Sequence, residues 1–307
     1  MKPLFFGRDG LRAGWRLAVF LVLGQLFAKA MFFAASRLGY AEIEGWTKEG
    51  FVVEGGISAL AGILAALLIG RFERKTLADY GLAPRRAGLL FLEGVGWGLA
   101  GSVAIVAILV ALGGAKIHGL ALHGGELVRS ALFWGAAMLL LGIAEEFLYR
   151  GYPLVALARG MGFWPAAALL SAIFGAVHYF FKPMETWADG VSVSLYGLLW
   201  CLTLRRTGSL WFAIGFHAMS DYADMVLFAE PNTGNNGLPV PGHLLDVSFP
   251  GPAWMTGGPC GTEASLLVFP ILAAYFFLFD RRFPRGMSTF LYTRREAPRP
   301  ALVPPPS

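Results

Sequence analysis

Three short polar clusters interrupt otherwise apolar stretches of this chain, and their residue types suit hydrolysis. The first is Leu141-Gly-Ile-Ala-Glu145-Glu146-Phe-Leu-Tyr-Arg150, where two adjacent carboxylates close a long apolar run. Glu146 and Arg150 stand at i, i+4, so they share a helix face and can pair. Glu145 points about 100° away on the same helix and is left for other work. The second cluster is Phe174-Gly-Ala-Val-His178, which puts a histidine in the last turns of the next run. The third is Phe216-His217-Ala-Met-Ser-Asp221, with an imidazole and a carboxylate again at i, i+4. An aspartate so placed can orient the ring or share a ligand with it.

A carboxylate and two imidazoles in a dry cavity can activate water. The carboxylate takes the proton as general base. The imidazoles polarise the attacked carbonyl, stabilise the oxyanion, or bind a metal. Each cluster also has a plainer reading. Glu145 and Glu146 can be charges at a helix end balanced by Arg150. His178 can be a packed structural histidine, and His217 with Asp221 an interhelical polar clamp. His118, His123 and His243 lie in loops and read as structural.

Such residues need elements that bring them together, and the composition says which kind. Of 307 residues, 56% are hydrophobic and only 15% are charged, against about 25% charged in a soluble domain. Mean hydropathy is +0.59. These values exclude a disordered chain and argue strongly against an ordinary soluble globule. They fit an all-α polytopic membrane protein, because a bilayer favours apolar surface all round a helix. Apolar runs lie near residues 15–36, 52–70, 89–112, 130–149, 164–181, 190–204, 209–229 and 264–280. About 20 residues cross a hydrocarbon core, so the pattern predicts about eight transmembrane helices. Gly94-Val-Gly-Trp-Gly98 adds a spacing that allows close helix packing.

The net charge of +5 is explained by topology rather than by nucleic acid. With both termini cytoplasmic, an eight-helix path puts 19 Lys and Arg on the cytoplasmic side and 5 on the other, as the positive-inside rule demands. The expected location is therefore an integral position in the cell (plasma) membrane. Cys201 and Cys260 fall at opposite faces and show no metal-ligand spacing. Residues 1–280 form one membrane domain whose motif core is 130–229. Residues 281–307 are basic and then Pro-rich, and are expected to be a disordered tail. The long connection 230–262 holds seven Gly and six Pro. It reads as an irregular, solvated loop, with the capping of a cavity as the alternative.

Spacing supports contact between the first two clusters. A hairpin turn near Gly160-Met161-Gly162 leaves Glu145 16 residues before Met161 and His178 17 after it, at nearly one level, about 25 Å away. His217 is 10 residues past Thr207, only about 15 Å from its own turn. The difference requires the first hairpin to protrude or tilt.

The ordered set Glu-Glu-x-x-x-Arg, Phe-x-x-x-His and His-x-x-x-Asp on successive apolar helices resembles the CPBP family. These are the CAAX-protease and bacteriocin-processing (Abi) membrane proteins, which include the type II CAAX prenyl endopeptidases. Asp221 stands where the prenyl endopeptidases have Asn, and an ionised Asp cannot donate a hydrogen bond. The resemblance implies an intramembrane endopeptidase acting on a membrane-associated peptide or a lipidated protein. Glu145 would activate water, His178 would help position it, and His217 with Asp221 would hold the oxyanion or orient the carbonyl. Glu146 and Arg150 would support the site. The family is read both as glutamate proteases and as metalloproteases. A zinc ion, if used, would fall to Glu145, His178 and His217, although no HExxH groups them. A non-enzymatic scaffold or immunity protein of the same family is the alternative. A proton-coupled transporter would need an inverted repeat or paired broken helices, which the sequence lacks.

Overall fold

The structure is a computed structural model and describes residues 5–7, 10–40 and 47–285. Nearly all of the 281–307 tail lies outside the described residues. Every apolar run carries a helix. Helix α1 spans Ala13–Arg37, α2 Lys48–Glu73, α3 Ala87–Ala111 and α4 Gly124–Glu146. A π-helical turn, Phe147–Gly151, leads into α5, Tyr152–Met161. Helix α6 is Phe163–Phe181 and α7 is Trp187–Thr207. Helix α8, Trp211–Asp221, runs on as a second π-helical stretch, Tyr222–Leu227. Helix α9 is Val268–Arg282.

Among the described residues, six helical stretches are long and apolar enough to cross a membrane: α1, α2, α3, the run Gly124–Met161, α6 and α7. The polytopic all-α class is thus found, while the count of eight is not fixed by length. Helix α8 and its π stretch have 11 and 6 residues, and α9 has 15, against about 20 for a full crossing.

Small residues decide how closely the helices approach, since lipid tails supply no hydrophobic drive between spans. Helix α8 is wedged between two of them. A Cβ on Gly94 of α3 would lie 2.1 Å from the Phe212 carbonyl oxygen, and one on Gly98 would lie 2.5 Å from that of Phe216. On its other side, a Cβ on Gly142 of α4 would meet Ala218 Cβ and the Ile214 oxygen at 3.2 Å. The pair α6 and α7 closes in the same way, with a Cβ on Gly175 reaching the Gly190 oxygen at 2.2 Å. At one end of the bundle Glu73 binds both Arg16 and Arg159, tying α1, α2 and α5 together. Arg206 binds Asp280 and so links α7 to α9.

The expected turn is found: α5 ends at Met161 and Gly162 adopts φ +86° before α6. The level mismatch is resolved by the path between Glu146 and that turn. Gly151 has ψ −116°, outside the helical range, so α5 leaves in a new direction and α4 does not run straight to Met161. On α6, the Phe174 ring stands 6.4 Å from the His217 ring, and His178 lies one turn further on.

The connection after α8 is a packed cap rather than a solvated loop. Val240, Leu244, Cys260, Thr262 and Ala264 are buried. Its backbone is held by side chains of α4: Ser130 Oγ donates to the Gly242 oxygen at 2.5 Å and Trp134 Nε1 to the Pro241 oxygen at 3.0 Å. Strand β1, Lys116–Leu120, pairs antiparallel with β2, Leu245–Ser248, and clips the cap to the α3–α4 connection. His118 bonds Ser248 across this pair at 2.8 Å, and His243 bonds the Val240 oxygen at 2.9 Å.

Candidate active site

Glu146 sits at the centre of the polar network and is fully buried. Its Oε1 accepts from Arg150 Nη1 at 2.8 Å and lies 2.9 Å from His217 Nδ1. One carboxylate therefore answers both the guanidinium on its own helical stretch and the ring on α8. Arg150 is itself 1% exposed. A buried cation of that size needs room and partners. Gly197 supplies the room, since a Cβ there would lie 2.5 Å from Arg150 Nη2. Phe174 and Trp200 supply ring faces 4.3 and 5.0 Å from the guanidinium carbon. The π turn that holds Arg150 begins directly after Glu146, and such turns recur at functional sites.

His217 is held on three sides. Trp200 stacks on its ring at 4.2 Å and 14°. With Nδ1 donating to the Glu146 carboxylate, the other nitrogen faces the remaining acids. His217 Nε2 lies 3.4 Å from Asp221 Oδ2 and 3.7 Å from Glu145 Oε2. His178 reaches the same space from α6. Its Nδ1 lies 3.0 Å from the Phe174 carbonyl oxygen, which can only accept. The proton of the neutral ring is thus on Nδ1 and the Nε2 lone pair is free.

These groups line one cavity of about 120 Å³, shared by Glu145, His178, His217, Asp221, Phe174, Trp200, Lys182, Asn232 and Glu263. It is polar and roomy enough to hold water. Glu145, with 25% of its side chain exposed, is the most accessible of the acids around His217. All six predicted residues come together: five through direct contacts and His178 through the common cavity.

The cap closes the cavity from outside the helices through Asn232 and Glu263. Ser192 of α7 donates to the Glu263 backbone oxygen at 2.5 Å and fixes that turn. Burial pushes the Glu263 carboxyl up to about 7, against the opposing pull of Lys182. Glu230 in the same cap is likewise raised to about 7 by burial, while its Oε2 accepts from Thr262 N at 2.7 Å. Sequence reasoning missed Asn232 and Glu263, as well as Trp200 and Gly197.

The conditional zinc set does not fit as arranged. Among the described residues no three His, Cys, Asp or Glu gather as a metal-binding group. His217 Nε2 already faces two carboxylates, and its Nδ1 is engaged by a third.

A helical membrane protein with a glutamate–histidine centre inside the bundle is the class that this fold and site define. The resemblance drawn from the motifs holds: residues 127–223 match the family described as Type II CAAX prenyl endopeptidase Rce1-like. The chain is also similar to the uncharacterized protein YyaK of Bacillus subtilis (strain 168), 28% identical over 139 residues. That match covers 42% of this chain and 45% of the relative, so the chain spans under half of the relative's length. No solved structure matches significantly.

Proposed function

We propose that the chain is an intramembrane endopeptidase that hydrolyses a peptide bond of a membrane-associated or lipidated substrate. One observation carries this reading: the most accessible acid, Glu145, shares a small polar cavity with two imidazoles that neighbouring groups hold in place. Glu145 accepts a proton from water, and the water oxygen adds to the substrate carbonyl carbon. His178 Nε2, with its lone pair free, accepts a hydrogen bond from the water's second hydrogen, which stays on the oxygen, and so orients the attack. His217, fixed by Glu146 and Trp200, carries a proton on each ring nitrogen and donates from Nε2 to the developing oxyanion, while Asp221, 3.4 Å from that nitrogen, orients the charged ring. When the C–N bond breaks, the proton held by Glu145 passes to the leaving amine. Glu146 and Arg150 act as positioning residues. No step is routed through a metal.

In this reading the membrane domain covers residues 1–280, α8 and α9 complete eight spans, and both termini face the cytoplasm from the plasma membrane. The apolar exterior suits the bilayer that would also deliver the substrate. Purified protein with a library of membrane peptides tests the activity, comparing wild type with Glu145→Gln, each with and without a chelator. Cleavage lost in the variant and kept with chelator supports the glutamate mechanism. Cleavage lost in both assigns a metal to the site. A Glu145→Gln protein that cleaves like wild type removes Glu145 as the base. A folded wild type that cleaves nothing favours the scaffold reading.

A further inference from the structure

A groove of about 590 Å³ lies between α3 and α9, away from the polar cavity. Gly96, Trp97 and Ala100 line it from α3, and Tyr275 and Leu278 from α9, with Arg281 and Arg282 at the end of α9. Its mouth is open to the surroundings: Gly96 and Ala100 are exposed, Leu278 is 53% exposed, and a Cβ on Gly96 would meet nothing within 4 Å. The apolar stretch and the cationic end form one continuous feature. Arg282 Nε lies 3.0 Å from Glu93 Oε1, so one acid answers one of the two guanidiniums. Arg281 covers the Phe277 ring at 4.5 Å, and among the described residues no carboxylate pairs with it. A net positive charge therefore remains where the groove ends.

We propose that this groove seats one acyl chain of an anionic phospholipid, with the lipid phosphate against Arg281 and Arg282. The volume is that of a small-molecule site. A stable contact with a second copy would need about 800 Å² from each partner, far more than the seven residues lining this groove present. Charge complementarity selects the headgroup, since each arginine near a membrane surface attracts anionic lipid. The site is connected to the catalytic helix. Tyr275 donates to the Trp97 carbonyl oxygen at 2.7 Å, and its ring packs on Phe216 at 4.8 Å, next to His217. A bound chain thus braces the wall against which α8 rests.

Native mass spectrometry of the full chain in nonionic detergent tests this, with phosphatidylglycerol and phosphatidylcholine offered in equal amounts. Wild type is expected to retain one phosphatidylglycerol with about tenfold preference. Arg281→Gln should remove most of that preference, and Gly96→Leu, which fills the groove, should lower retention of both lipids. Both variants must elute like wild type and melt at its temperature without added lipid. Equal retention of the two lipids by wild type overturns the proposal, as does an unchanged preference in both variants. A Gly96→Leu-sensitive dimer without retained lipid overturns it too, by giving the groove to a second copy. No proteolysis is measured, so the result stands apart from the proposed activity.

Discussion

Gly94→Ala is the sharpest test of the packing that places His217. The new methyl would lie 2.1 Å from the Phe212 oxygen and 2.9 Å from Phe216 N. Restoring ordinary contact requires α3 and α8 to separate by about 1 Å, which forfeits up to half of each contact's attraction. Helix α8 has little room to retreat, because α4 packs on its other side so closely that a Cβ on Gly142 would lie 3.2 Å from Ala218 Cβ and the Ile214 oxygen. Overpacking of this kind costs about 1–3 kcal/mol. A shift of about 1 Å in the backbone carrying His217 is enough to lower a catalytic rate about 100-fold. Gly96→Ala is the matched control: it lies on the same helix, with no heavy atom within 4 Å of the added methyl. Both changes gain the same helix propensity, about 1 kcal/mol, so their difference isolates the clash. Thermal melts by tryptophan fluorescence and initial cleavage rates are the assays. Gly94→Ala should melt well below Gly96→Ala and cleave far more slowly. If the two variants melt and cleave alike, the α3–α8 backbones are not in contact and the account of how His217 is placed is wrong.

Two other outcomes are expected. Arg150→Met strands the buried Glu146 carboxylate and should destabilise the protein by about 3–5 kcal/mol, with Glu146→Gln in the same chain restoring a large part; equal melting temperatures for the single and double variants would refute the pairing. Burial raises Glu230 from its ordinary 4.5 to about 7, so the folded state holds that proton more tightly than the unfolded chain. Its contribution is complete below about pH 4.5 and falls as pH rises toward 7. Glu230→Gln removes this loss, so its melting advantage over wild type should grow between pH 5 and pH 8, and parallel curves would contradict the burial.

The polar residues of the site were legible because charges inside apolar runs are rare and their spacing is helical. Glu146 with Arg150, and His217 with Asp221, follow from i, i+4 geometry alone. The turn at Gly162 was legible from its glycines. Three features were not. The cap is buried by Ser130 and Trp134, more than 100 residues away in sequence, and its glycines and prolines read locally as a loop. The π turn after Glu146 leaves no compositional mark, so the change of direction between α4 and α5 could not be read from the sequence. Asn232 and Glu263 enter the cavity only because the cap folds back over it.

The flat contact between Trp200 and His217 limits what the imidazole can do. A ring clamped face to face against an indole, with one nitrogen tied to Glu146, has no free rotation with which to carry a proton from one side to the other. It works as a fixed strut with a single working end. In the proposed mechanism proton traffic therefore falls to Glu145, the most exposed of the acids around His217. The direction of the chemistry would thus be set by which side chain is permitted to move.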